Sequence, residues 1–178
     1  GHGRMKVVRG HHRLDCAKRL NLPVWYVVDD SKVDIFDLEG GRQAWSGADF
    51  AAARASSGHA ACAQVLAFQR RHGLTLGAAA SLMAGQSASS NNAVKQIKDG
   101  TFTVGDDLSH AYAVVDVTDY CHACGVDVAR TAAFVGAVSA CLRIPEFDVD
   151  VFKHRIKLHG NQFRRCTMRD DYIVQIEG

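Results

Sequence analysis

The stretch VVRGHHRLDCAKRLNLPVWYVV, residues 7–28, decides whether this chain contains a β-sheet. β-Branched residues lead into Gly10, a helical pattern follows from about residue 11 to 20, and a nearly continuous apolar run ends the stretch. We therefore predict strands at 5–9 and 24–28 on either side of one helix. Such a β-α-β unit ordinarily pairs its two strands in parallel.

The rest of the chain has the pattern of a helical domain, because alanine is abundant and only two prolines occur in the whole sequence. N-caps are predicted at Thr75, Asp106 and Asp148. The predicted fold class is α+β, mostly α: a small, truncated α/β unit at 5–45, followed by a helical domain at 46–178. The predicted helices of that domain cover residues 47–56, 59–72, 75–84, 90–98, 106–123, 127–142, 148–159 and 168–177.

Length and composition limit the class of protein. A chain of 178 residues with 47% hydrophobic residues suits one domain or two small ones. No apolar run is long enough for a membrane helix and the start lacks a secretory h-region, so neither membrane insertion nor secretion is expected. The six cysteines are expected to be reduced thiols, and the expected location is the cytoplasm. A net charge of +2 is weak evidence for or against a polyanionic partner.

The corner at Gly10 has the residue types of a phosphate site. A helix N-terminus offers unpaired N–H groups and a partial positive charge, and a preceding glycine lets a phosphate approach the backbone. Arg13 adds a guanidinium that can form two hydrogen bonds to a phosphate. The predicted phosphate- or nucleotide-binding residues are Gly10, His11, His12 and Arg13. The alternative is a tight turn that carries solvent-exposed basic residues.

The segment GHHRLDCAKRLNLPVWYVV resembles the core motif of the ParB/sulfiredoxin superfamily. Gly10 and Arg13 match its G-x-x-R signature, and Cys16 stands at the small position three residues later. The segment 45–50, WSGADF, is similar to a later part of the ParB-like nuclease-domain proteins of phages, plasmids and bacteria. The resemblance implies that the corner binds nucleotide phosphates, with a nucleoside triphosphate and Mg²⁺ as the cofactor it would accept.

The resemblance also bears on which enzymatic activities are expected. Sulfiredoxin activity is not expected, because His11 stands where that family has its cysteine nucleophile. As an enzyme, the chain would be a metal-dependent nuclease or nucleotidase. His11 or His12 would then act as acid or base, and Asp29 or Asp30 would hold the cation. The alternative is that the two aspartates cap a helix or lie in a loop. The sequence shows no complete hydrolytic site.

Residues 72–100 fit a helix-turn-helix in position, since ParB-like domains are often followed by one. The second helix would present polar and basic side chains to DNA: Asn91, Asn92, Lys95 and Lys98. The alternative is a helical hairpin that packs its apolar residues into the core.

The strongest local charge lies near the C-terminus, where no acidic residue falls between 153 and 169. Such a cluster would bind a nucleic-acid backbone in a salt-sensitive way, or would be a solvated basic face. Its members are Lys153, Arg155, Lys157, Arg164, Arg165 and Arg169. The motif CHAC at 121–124 is a single C-x-x-C without a second pair, so no metal site is predicted.

The sequence therefore predicts a nucleotide- or DNA-associated binding protein of the ParB-like superfamily. Two alternatives stay open: the metal-dependent nuclease or nucleotidase, and a structural partner in which the motif is only a turn. DNA is the expected partner, a nucleotide is a further one, and the alanine-rich helix faces are compatible with a homodimer.

Overall fold

The computed structural model describes residues 7, 10–26, 28, 45–85 and 91–177. The chain divides into two compact units, Gly1–Trp45 and Ser46–Gly178. In the first unit, helix α1 covers His11–Leu20 and ends at Asn21, whose N–H bonds to the carbonyls of Ala17 and Lys18. Lys18 and Arg19 occupy the last turn, where a positive charge favours the helix dipole.

The predicted β-α-β unit is wrong for the part of the chain that the structure describes. That part contains helices and no strand or sheet. The predicted strand 5–9 lies outside the described residues except for Val7. The described residues of 24–28 are not a strand, and their side chains are exposed, Trp25 by 97%. A single apolar run makes a strand only where a second strand pairs with its backbone, and none of the described residues does so.

The second unit is a helical bundle built mostly from short elements. Its helices are α2 (Gly47–Ser56), α3 (Ala60–His72), α4 (Leu76–Met83), α5 (Asn92–Asp99), α6 (Ser109–Ala123), α7 (Ala132–Cys141), α8 (Val149–His159) and α9 (Arg169–Glu177), with a 3₁₀ turn at Gly160–Gln162. The predicted helices therefore exist, with starts displaced by up to five residues. The largest displacement is at α7, because Val126 and Val128 accept turn hydrogen bonds before Thr131 caps the helix.

Local caps explain most of the helix starts. The predicted caps Thr75 and Asp148 are confirmed, since each side chain accepts a backbone N–H from the first turn. Ser46 and Asp49 form a reciprocal capping box at the start of α2. The predicted cap Asp106 is wrong. The helix begins later, and the N–H of its first residue, Ser109, donates to the neighbouring Asp107 carboxylate at 2.8 Å.

The core lies around α4 and α7. Six of the eight residues of α4 are buried, and this helix packs against α3, α5, α6 and α7. Helix α7 is also buried along most of its length, and it packs against α9. Phe134 of α7 is fully buried and makes edge contacts with the rings of Phe163 and Tyr172. Across the described ranges, no helix has both the length and the apolarity needed to cross a bilayer.

Candidate nucleic-acid interface

The corner at Gly10 has the backbone geometry of an open helix start. Gly10 adopts φ 83° and ψ 23°, a left-handed conformation that glycine adopts without a steric penalty. The Gly10 carbonyl accepts the N–H of Leu14 at 2.9 Å, and no side chain caps the helix. Among the described residues, the first-turn N–H groups of α1 therefore have neither an intrahelical acceptor nor a capping side chain. They are available to an anion.

The space around this corner is also open. A Cβ atom on Gly10 would meet no atom within 4 Å, so only the backbone angle favours glycine there. Arg13 is exposed and makes no hydrogen bond or ion pair with any described residue. No acidic residue lies in the first turn of α1. The backbones of His11 and His12 lie in that turn, whereas the candidate residues Asp29 and Asp30 lie outside the described residues.

The C-terminal basic cluster divides into two groups. In the first group, each side chain has a structural partner. Lys153 pairs with Asp116 at 2.6 Å, Arg155 donates to the Ile176 carbonyl at 3.1 Å, and Arg169 bonds to Asp170 at 2.9 Å. The Arg155 bond satisfies a carbonyl at the end of α9, so this arginine acts as a C-terminal cap. These cations are partly committed to the fold.

The second group remains free for a partner. Lys157, Arg164 and Arg165 are exposed, and their side chains form no ion pair within the described part of the chain. Lys157 lies on α8, whereas the two arginines lie in the connection between the 3₁₀ turn and α9. The pairing of Arg169 with the next residue, Asp170, is visible in the sequence. The sequence alone could not show that Lys153 and Arg155 have partners, because these lie 37 and 21 residues away.

Helix α5 and the residue before it expose the side chains predicted to contact DNA. Asn91, Asn92, Lys95 and Lys98 are exposed, whereas Ala93 and Ile97 are buried four residues apart on the opposite side. Residues 84–91 connect α4 to α5, which is longer than the turn of about three or four residues in an ordinary helix-turn-helix. DNA reading by this segment stays a prediction.

The CHAC motif has the environment of a structural element. It ends α6, where Cys121 is fully buried and Cys124 is partly buried. Burial, followed by the neighbouring Cys124 thiol, raises the pKa of Cys121 to about 12, so its nucleophilic thiolate is scarce at neutral pH. Among the described residues, no group of three or more histidine, cysteine or acidic side chains is placed to hold a metal ion.

Two polar groupings arise only from the tertiary structure. His72 Nδ1 lies 2.8 Å from Asp119 Oδ2, and Arg130 Nη2 lies 3.6 Å from the other carboxylate oxygen of Asp119. This grouping joins α3, α6 and the connection that precedes α7. No local sequence signal could have revealed it, since His72 and Asp119 are 47 residues apart.

The second grouping is a histidine–serine pair in the core. His110 Nε2 lies 2.9 Å from the hydroxyl oxygen of Ser139. Burial, followed by the positive charge of Arg143, lowers the pKa of His110. Ser139 is only 2% exposed, so its hydroxyl is closed to a substrate and the pair links α6 to α7.

Comparison with family models, curated proteins and solved structures gives no match. The resemblance of residues 10–28 to the ParB/sulfiredoxin superfamily therefore stays a prediction that rests on the motif.

Proposed function

We propose that this chain is a nucleotide- or DNA-associated binding protein whose phosphate site is the start of α1. The uncapped N-terminus of that helix carries the proposal: it follows a left-handed Gly10 and has Arg13 exposed beside it. A phosphate oxygen would accept the first-turn N–H groups, and the Arg13 guanidinium would add charge-assisted hydrogen bonds. The match of Gly10 and Arg13 to the G-x-x-R signature supports a nucleotide as the ligand.

The test is calorimetric titration of the protein with CTP and with ATP, each with Mg²⁺. We expect Arg13→Ala to weaken binding at least tenfold, because a hydrogen bond to a charged group contributes about 1.5–3 kcal/mol. Arg19→Ala is the matched control, since Arg19 is an exposed arginine at the other end of the same helix. Equal affinity of wild type and Arg13→Ala would contradict the proposal.

The same samples test the enzymatic alternative. Nucleotide products that form only with Mg²⁺ and only with intact His11 and His12 would make the chain a phosphoryl-transfer enzyme. Binding without turnover would leave it a binding protein.

We also propose that the second unit contacts a nucleic-acid backbone through Lys157, Arg164 and Arg165. The observation that supports this proposal is their exposure without a structural partner, in contrast to the three committed members of the cluster. Each phosphate contact steepens the salt dependence of affinity by about 0.9 in log–log slope.

Fluorescence anisotropy with a labelled DNA duplex at several salt concentrations measures this slope. Replacing Lys157, Arg164 and Arg165 together with alanine is expected to reduce the slope by up to ~3. Arg71→Ala is the control, because Arg71 is exposed and lies outside the cluster. An unchanged slope in the triple variant would exclude this surface.

A further inference from the structure

The connection between the 3₁₀ turn and α9 carries the exposed side chains of Arg164 and Arg165. Its backbone belongs to no helix or strand, yet the core holds its first residue. Phe163 is partly buried, and its ring makes edge contacts with the buried rings of Phe134 and Phe152. Aromatic packing therefore fixes the chain directly before the two arginines.

Gln175 of α9 holds the backbone of the next residue. The Arg164 N–H donates to Gln175 Oε1 at 2.9 Å, and Gln175 Nε2 donates to the Arg164 carbonyl at 3.2 Å. A carboxamide has the same donor and acceptor as a peptide group, so it satisfies both backbone groups of Arg164 as a neighbouring strand would. The Arg164 side chain takes no part in these two bonds and is exposed.

The backbone after Arg165 is also bonded to α9. The Cys166 N–H donates to the hydroxyl oxygen of Tyr172 at 2.9 Å, and Gln175 Nε2 donates to Cys166 Sγ at 2.8 Å. Tyr172 is fully buried in edge contact with Phe134, so its hydroxyl has a fixed position. Arg165 therefore lies between two residues whose backbone groups bond to the same helix.

These bonds matter for binding because of conformational entropy. A loop that is ordered before a ligand arrives loses less entropy on binding than a loop that becomes ordered only on the ligand. Lys157 lies within α8, whose backbone bonds fix its position. Arg164 and Arg165 lie outside any helix, so the bonds to α9 supply the order that a helix supplies to Lys157.

We propose that Gln175 is a positioning residue of the nucleic-acid surface. Together with Tyr172 it orders residues 164–166 before binding, so that Arg164 and Arg165 contact backbone phosphates at a lower entropic cost. This inference rests on the proposed role of those two arginines. Gln175 acts through the backbone of Arg164 and not on the phosphates, because both hydrogen-bonding groups of its carboxamide are used within the fold.

Amide hydrogen exchange of the free protein tests whether Gln175 orders this loop. Gln175→Met keeps an unbranched helical side chain and removes both hydrogen-bonding groups. The Arg164 amide is expected to exchange roughly fivefold faster in this variant, because it loses its acceptor. Gln64→Met is the matched control, since Gln64 is an exposed glutamine on α3. Equal exchange of the Arg164 amide in wild type and Gln175→Met would overturn the proposal.

Fluorescence anisotropy with a labelled DNA duplex tests whether Gln175 acts through the two arginines. Gln175→Met is expected to bind DNA roughly fivefold more weakly than wild type, whereas Gln64→Met keeps the affinity. In a protein that already carries Arg164→Ala and Arg165→Ala, the same Gln175 substitution is expected to change the affinity by less than about twofold. An equal loss in both backgrounds would show a general structural effect, and either that result or no loss in wild type would overturn the proposal.

A second variant covers the case in which Gln175→Met lowers the melting temperature strongly. Tyr172→Phe keeps the ring contact with Phe134 and removes the hydroxyl that accepts the Cys166 N–H. It is expected to weaken DNA binding in the wild-type background and not in the protein without the two arginines. Wild-type affinity of Tyr172→Phe would contradict the role of the ordered loop.

The variant with alanine at both 164 and 165 separates this inference from the proposed function. If that variant binds DNA as tightly as wild type, the nucleic-acid surface itself is wrong and the role of Gln175 is wrong with it. Weaker binding by that variant, together with wild-type affinity of Gln175→Met, would overturn the role of Gln175 alone.

Discussion

The two units of the chain use apolar side chains in opposite ways. In the first unit, Trp25 is 97% exposed, and Leu20 and Tyr26 are more than half exposed. In the second unit, the large side chains of Phe134 and Tyr172 are fully buried and in edge contact. The first unit contains the strongest functional motif, and the second contains the core.

Polar and charged groups show this contrast only in part, since α5 and α6 of the second unit also start without a side-chain cap. Helix α1 starts without a capping side chain and exposes Arg13, whereas α2, α4 and α8 each start with a side-chain cap. Arg155 and Lys153 in the second unit already have structural partners. Whether a charged residue is available to a ligand therefore depends on the partners that it already has within the fold.

The largest expected effect compares aromatic side chains in the two units. Phe134→Ala is expected to lower the free energy of unfolding of the second unit by about 3–5 kcal/mol, because it leaves a cavity in the core. Trp25→Ala is expected to change it by less than about 0.5 kcal/mol, since the side chain is exposed. Urea unfolding followed by circular dichroism measures both. A large effect of Trp25→Ala would show that residues 24–28 pack against a partner surface.

An intermediate effect separates committed from free cations within α8. Arg155→Ala is expected to cost about 1 kcal/mol of stability, because the Ile176 carbonyl loses its hydrogen bond. Lys157→Ala, two residues away, is expected to leave stability unchanged and to weaken DNA binding instead. Thermal unfolding and DNA-binding anisotropy of both variants test this distinction. A loss of stability in Lys157→Ala, with Arg155→Ala as stable as wild type, would contradict it.

The smallest expected effect is a pH dependence of the stability of the second unit. The pKa of His110 is lowered in the folded state, so the unfolded chain binds the proton more readily. The resulting stability is present above the ordinary pKa of 6.5 and is lost as the pH falls through that value toward the folded pKa. His110→Gln removes this titration and keeps a polar group near Ser139. We expect the variant to lose less stability than wild type between pH 7.5 and 5.5, and a loss equal to that of wild type would contradict the assignment.

Local signals accounted for much of the helical unit. Thr75 and Asp148 cap their helices as predicted, because a side-chain oxygen and an N–H two or three residues later meet within one turn. The Asp106 prediction fails because the helix begins only at Ser109, whose N–H and hydroxyl donate to the Asp107 carboxylate instead. The predicted strand at 24–28 fails for a different reason: β-branched residues favour extension, but a strand also requires a pairing partner that propensity does not supply.

The sequence by itself determined the helix pattern of residues 46–178, the glycine at the left-handed start of α1 and the position of the basic residues. These features depend on backbone preferences and on neighbours within one turn. Only the tertiary structure decided which cations bond to carbonyls and carboxylates of the fold, and which histidines contact Asp119 and Ser139. Those outcomes depend on contacts between residues far apart in the chain, which packing of the core brings together.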